Sequence, residues 1–280
     1  ELLDGAGMAM SNRILREHQR RKGQSRDAWK WFAAHRARVT ELLISHASGS
    51  LCLLGAGNCN DVDLQQLQQH FDEILLVDVD EQALQAGLAA QGCADHSQFQ
   101  CRQYDLHGVT EALEHERSDA LLQALAATPP PAAESFDVVA SIGLLSQLFD
   151  SLRLGLGDGH PDFLRCLRAL RERHLRQLIE MARPGGHVLL VTDFVSSDTF
   201  PALPVLSDAE LQRTVPQLIQ DHNFFTGTNP ALIHQFLTED AGCAERLRGV
   251  RMISPWLWDF GVRTYAVYAV DVAVGYLPAI

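Results

Sequence analysis

The stretch Ser50 to Asp61, SLCLLGAGNCND, constrains the fold more than any other part of the chain. An apolar run, Leu51-Cys52-Leu53-Leu54, stops at Gly55-Ala56-Gly57 and gives way to polar residues. A short apolar run without alternation fits a strand buried on both faces, as in a parallel sheet. Glycines directly after it fit a loop whose backbone must come close to a ligand. Residues 61–71 read as a helix. The next apolar run, Ile74-Leu75-Leu76-Val77, ends at Asp78, about twenty residues beyond the loop, where a carboxylate can accept from ribose hydroxyls. The first half therefore predicts a nucleotide-type cofactor site.

The rest of the chain repeats the strand–helix theme. Residues 11–22 read as a polar helix or arm, broken by Gly23. Ser25 can cap a second helix running to about His46, with Trp29, Phe32, Ala33, Val39, Leu42 and Leu43 as its apolar stripe. Asp80 caps a helix that Gly92 ends, and Phe99 to Tyr104 forms a third strand ending at Asp105. A helix over Thr110 to Ala127 and a proline-rich loop lead to a fourth strand, Phe136 to Ile142. Residues 143–162, with four glycines, read as an irregular connection bordering the acceptor side of the site. A helix over residues 163–182 and a fifth strand, His187 to Asp193, follow. After a helix around Ser207 to Gln220, Asn229 and Pro230 open another. Two β-rich runs flank Asp259-Phe260-Gly261 and predict an antiparallel hairpin.

Totals exclude several functions. No apolar run approaches the length of a membrane span. Residues 1–50 carry a net charge of +4, leaving −16 on the remainder, which argues against a broad nucleic-acid surface. Six cysteines form no CxxC pair, so neither a metal centre nor a disulfide framework is expected, and the setting reads as cytoplasmic. Cys59, in the glycine loop, reads as a space-filling residue before a reactive one. The only lysines, Lys22 and Lys30, lie in the amino-terminal arm. Schiff-base, Walker-loop and Tyr-x-x-x-Lys chemistries thus have no lysine in the body.

Five parallel strands, a glycine loop after the first, acids after the second and third, and a terminal hairpin resemble the class I S-adenosylmethionine-dependent methyltransferases. The resemblance covers about residues 46–280 and is carried by LLGAGNCND, ILLVDVD, ESFDVVASIGLL and ARPGGHVLLV. It implies a Rossmann-like α/β fold: a seven-stranded methyltransferase sheet of parallel strands with a carboxy-terminal antiparallel hairpin and helices on both faces. Residues 1–45 would form a helical arm or cap, and residues 46–280 the cofactor-binding domain. The implied cofactor is S-adenosyl-L-methionine, leaving as S-adenosyl-L-homocysteine. Gly55, Ala56 and Gly57 would lie against its methionine half, with Asn60 as a polar contact. Asp78 would grip the ribose and Val79 would pack on the adenine. Asp105 would accept from the adenine amino group, with Leu106 beside it. Ile142, Gly143 and Leu144 would border the sulfonium. The chain departs from the family pattern at Leu53, where an acid is usual, and at Cys59, where a third glycine is usual.

Methyl transfer depends mainly on positioning, with a base needed only for a protonated acceptor. His160 and Asp193 are the candidate bases, with Gln147 as an orienting group. The expected partner is a small-molecule acceptor, with neither nucleic acid nor membrane involved. The alternatives are an NAD(P)-dependent oxidoreductase and a non-catalytic binding protein on the same scaffold. An Asp78→Ala change is expected nearly to abolish cofactor binding, with Asp80 left to cap the helix at a stability cost within about 1 kcal/mol.

Overall fold

The computed structural model describes residues 28–106, 118–127 and 129–275. The arm over residues 11–22, the capping residue Ser25 and part of the helix expected from Thr110 lie outside them. A 3-10 turn, Trp29–Phe32, leads into helix α1, Ala33–Ile44. Then come β1 (Ser50–Leu54), α2 (Leu64–Leu67), β2 (Glu73–Asp78), α3 (Glu81–Ala90), β3 (Phe99–Gln103) and α4 (Ser118–Ala127). The second half holds β4 (Phe136–Ile142), α5 (Leu144–Leu156), α6 (Phe163–Met181), β5 (Ala182–Ser196), α7 (Asp208–Gln220), α8 (Pro230–Glu239), α9 (Ala241–Ala244), β6 (Leu247–Asp259) and β7 (Thr264–Val274).

The seven strands form one sheet in the order β3-β2-β1-β4-β5-β7-β6. Strands β1 to β5 are parallel, and β7 runs antiparallel to both β5 and β6. The expected sheet and hairpin are therefore present. Strand alternation sends the two halves of each apolar run to opposite cores. Leu51 and Leu53 pack with Val39, Leu43, Leu67 and Leu84 of α1, α2 and α3. Cys52 and Leu54 pack with Leu121, Leu145, Leu178 and Leu218 of α4 to α7. Each fully buried leucine contributes about 1.5–3 kcal/mol, so both layers are held firmly.

Several elements differ from expectation. The helix read over residues 61–71 is a single turn, Leu64–Leu67, because Asp63 caps it through the Gln66 N–H. Residues 143–162 are not irregular: they contain α5, whose Leu144, Leu145, Leu148, Phe149 and Leu152 face the core. Gly157, at φ +79°, ends that helix. In the amino-terminal stripe Phe32, Val39, Leu42 and Leu43 are buried, whereas Trp29 is 40% exposed. Asn229 and Pro230 do open α8 as expected. Among the described residues, no helix is long and apolar enough to cross a membrane.

At the amino-terminal end of β5, one buried carboxylate joins three elements. Asp271 on β7 accepts from Arg251 at 2.7 Å and lies 3.0 Å from His46 Nε2 and 3.2 Å from His187 Nδ1. Burial opposes its charge, but hydrogen bonds from His46, Arg251 and His187 outweigh that and hold the carboxyl below its usual range.

Candidate functional site

Strand order reverses between β1 and β4, so their carboxyl ends leave a crevice where α/β sheets bind ligands. The glycine loop lies there. Gly55, at φ +75°, and Ala56 both donate to the Val77 carbonyl, at 2.9 and 3.2 Å, which turns the loop over the end of β2. A Cβ on Gly55 would stand 2.9 Å from Leu144 Cβ, so Leu144 supports the loop from beneath. Cys59 closes the turn through a 2.7 Å bond to the Ala56 carbonyl, with a left-handed φ of +55°.

Asp78 ties β2 to the loop. One carboxylate oxygen accepts from the Gly57 N–H at 2.9 Å, the other from the Asp80 N–H at 2.9 Å. Asp80 in turn caps α3 through the Ala83 N–H at 3.1 Å.

Three residues of α1 hold the far side of the loop. His35 Nε2 lies 3.1 Å from Asp61, Arg36 donates to the Asn60 carbonyl at 3.1 Å, and Thr40 Oγ1 accepts from the Asp63 N–H at 3.0 Å. Trp256 Nε1–H donates to His35 Nδ1 at 3.2 Å, which puts the proton of a neutral ring on Nε2, facing Asp61. Gln91 adds two bonds, to the Cys59 carbonyl at 2.9 Å and the Val62 carbonyl at 3.2 Å. Helix α3 approaches through Gly87, where a Cβ would meet the Asn58 carbonyl oxygen at 2.6 Å.

These elements enclose a cavity of about 770 Å³. Of the residues singled out in the sequence, Gly55, Ala56, Gly57, Asn60, Asp78, Ile142, Gly143, Gln147 and Asp193 line it. Val79, Asp105, Leu106, Leu144 and His160 do not. Leu106 is a core residue, clustered with Leu121 and Leu125 of α4. The Val79 carbonyl accepts from Gln103 at 3.0 Å. His160 sits in the α5–α6 turn, where its Nδ1 accepts from the Asp162 N–H at 3.1 Å. Gln147 donates to the Gly143 carbonyl at 3.0 Å, so it positions backbone.

Gly143 caps α5 at φ +61°, and a Cβ there would meet nothing within 4 Å. Backbone at this point therefore faces open space at the end of β4. Across the cavity, Asp193 on β5 accepts from the Ser146 hydroxyl at 2.5 Å. Burial pushes the Asp193 carboxyl up, and the Ser146 bond opposes part of that shift. Burial also pushes the Cys59 thiol up, so the loop holds no reactive thiolate. Residues 143–162 border the cavity as expected, through Ser146 and Phe149 on α5, whereas Tyr265 on β7 lines it with no local sequence signature. His35 and Gln91 were equally silent, because the loop residues they bind lie 26 and more residues away.

No protein-family model and no curated protein matches the chain. Among solved structures, the N-methyltransferase NodS from Bradyrhizobium japonicum WM9 is similar over 88% of this chain and 98% of its own, at 13% identity and a TM-score of 0.46. The same NodS in complex with S-adenosyl-L-homocysteine is similar over 86% of this chain and 87% of its own, at 13% identity and a TM-score of 0.44. YcgJ from Bacillus subtilis is similar over 85% of this chain and 98% of its own, at 11% identity and a TM-score of 0.46. Likenesses of this size add nothing to the strand pairing already described. By its strand order, its reversed terminal hairpin and the position of its glycine loop, the chain has the class I methyltransferase fold.

Proposed function

We propose that the chain binds S-adenosyl-L-methionine across the β1–β4 crevice and transfers its methyl group to a small molecule. The observation that carries this reading is the convergence of the glycine loop, Asp78 and Gly143 on one cavity that also holds Asp193. The residues fit such a cofactor. Gly143 leaves space where a side chain would project, and the loop from Gly55 to Gly57 offers backbone at close range. Asp78 is held at the end of β2 by backbone donors on both oxygens, where its carboxylate would also accept from a ribose hydroxyl. Ile142 and Gly143 would face the sulfonium, and Asn60 the polar end of the methionine half. The adenine would extend past Asp78 toward Val79 and Asp105, with Leu106 acting as core beneath it. When bound, the cofactor supplies an electrophilic methyl on a positive sulfur, and the chain's part is chiefly orientation. Asp61, Asp78 and Asp193 give the cavity a negative character suited to that charge. Its volume suits small ligands, which favours a small acceptor.

A nicotinamide cofactor is the competing occupant, and its fingerprint asks for a glycine where Asn60 stands. Calorimetric titration separates the two. S-adenosylmethionine and S-adenosylhomocysteine should each bind once per chain, and the nicotinamide dinucleotides should not. Dinucleotide binding without S-adenosylmethionine binding would overturn the assignment.

A further inference from the structure

We propose that the acceptor is a small amine, bound as its ammonium cation among aromatic rings with Asp193 as its counter-ion. This rests on the methyltransferase reading above and adds the chemical class of the acceptor. Eight of the chain's twenty aromatic residues line this one cavity, among them Phe149, Phe224, Phe225, Trp258, Phe260 and Tyr265. Ring faces carry negative quadrupole density and hold cations, most strongly where water is excluded. The aromatic wall is also fixed in place. Phe224 stacks on Phe194 at 5.7 Å, the Phe225 N–H bonds the Phe194 carbonyl at 2.8 Å, and Trp258 packs on Phe260 and Tyr265 at 5.5 and 5.3 Å.

Charge points the same way. Among the described residues, five aspartates line the cavity against two arginines, and no lysine does. Both arginines are engaged: Arg153 lies 3.6 Å from Asp150, and Arg263 pairs with Asp198 and donates to the Tyr265 hydroxyl at 3.2 Å. Among the described residues of the wall, a carboxylate or phosphate acceptor would find both arginines already paired and would meet an excess of like charge. Asp193 has the opposite character. Ser146 satisfies one of its oxygens, and a carboxylate of this kind accepts further donors.

An ammonium cannot be methylated until it yields a proton. In the bound amine the N–H bond breaks, the proton passes to the Asp193 carboxylate, and the electron pair stays on nitrogen as the nucleophile. Burial, and the nearby Asp150 carboxylate, raise the proton affinity of Asp193 and suit it to that exchange.

The test uses the full chain and three probes of one shape: 2-phenylethylamine, 2-phenylethanol and 3-phenylpropanoate. Each is titrated at neutral pH against protein saturated with S-adenosylhomocysteine, followed by tryptophan fluorescence and calorimetry. The amine should bind at least about tenfold more tightly than the alcohol, and the carboxylate most weakly. Asp193→Asn should remove that preference by weakening the amine far more than the alcohol. An alcohol or carboxylate bound as tightly as the amine overturns the proposal on the wild-type protein alone, whether or not the variant folds. Loss of the preference only in Asp193→Asn supports it, and an unchanged preference in the folded variant overturns it. Failure of S-adenosylhomocysteine to bind refutes the cofactor reading, a separate result from binding without amine preference.

Discussion

Asp78→Ala tests how far the cofactor reading and the loop's own stability depend on one side chain. Asp78 is 5% exposed, and its two oxygens each take a backbone N–H at 2.9 Å, from Gly57 and from Asp80. Truncation leaves both donors without their partner. A buried donor left unsatisfied costs about 1–3 kcal/mol. Both N–H groups lie partly open to water, which places each near the lower half of that range, so the sum is about 2–4 kcal/mol. For a chain of 280 residues that corresponds to a melting temperature lower by roughly 3–7 °C. This exceeds the cost expected from the sequence, where Asp80 alone was to carry the cap. The geometry makes the two acids serial: Asp78 holds the backbone of the residue that caps α3. Loss of two charged hydrogen bonds to a ribose would also weaken S-adenosylmethionine binding by roughly two to four decades. A thermal melt and a calorimetric titration on the same preparation read both effects. A melt within about 1 °C of wild type, against an expected drop of at least roughly 3 °C, would refute the cross-tie. Wild-type affinity in the folded variant would refute the ribose contact.

Gly87→Ala should gain about 1 kcal/mol of helix propensity yet destabilise the protein, because the new Cβ meets the Asn58 carbonyl oxygen at 2.6 Å. A melting temperature above wild type would show that α3 and the loop separate freely. Asp271, whose carboxyl is held below its usual range, lends stability that is complete above about pH 4 and is lost as pH falls below it. Melting temperatures from pH 6 to pH 2 should therefore fall less steeply in Asp271→Asn than in wild type, and parallel curves would contradict this.

What the sequence disclosed depended on how local the cause was. Leu51 to Leu54 and Ile74 to Val77 announce buried strands because their environment is the same on both faces. Gly55 and Gly143 lie where left-handed backbone is needed, and a glycine there is visible without a structure. Asp259-Phe260-Gly261 marked its hairpin for the same reason: Gly261 sits at φ +85° and donates to Asp259 at 2.8 Å. Helix α5 was hidden because Gly155, Gly157 and Gly159 cluster at its end and masked the helical spacing of Leu144, Leu148 and Leu152. The stretch 143–162 was legible as one wall of the cavity, and Ser146, Phe149 and Asp150 do line it, but which residues they face was not legible. Ser146 and Asp193 stand 47 residues apart, and Trp256 reaches His35 across 221. Only the assembled sheet brings such residues together.

The three contacts from α1 to the glycine loop make ligand affinity a question of populations. His35, Arg36 and Thr40 engage Asp61, Asn60 and Asp63 only while α1 is docked. If the loop binds ligand only in that state, the apparent dissociation constant is the intrinsic one divided by the docked fraction. With α1 docked in about nine molecules of ten the loss is about a tenth, and with one in ten docked it is about tenfold. Weakening α1 would thus lower affinity without touching a lining atom, and added ligand would in turn draw the helix back onto the loop.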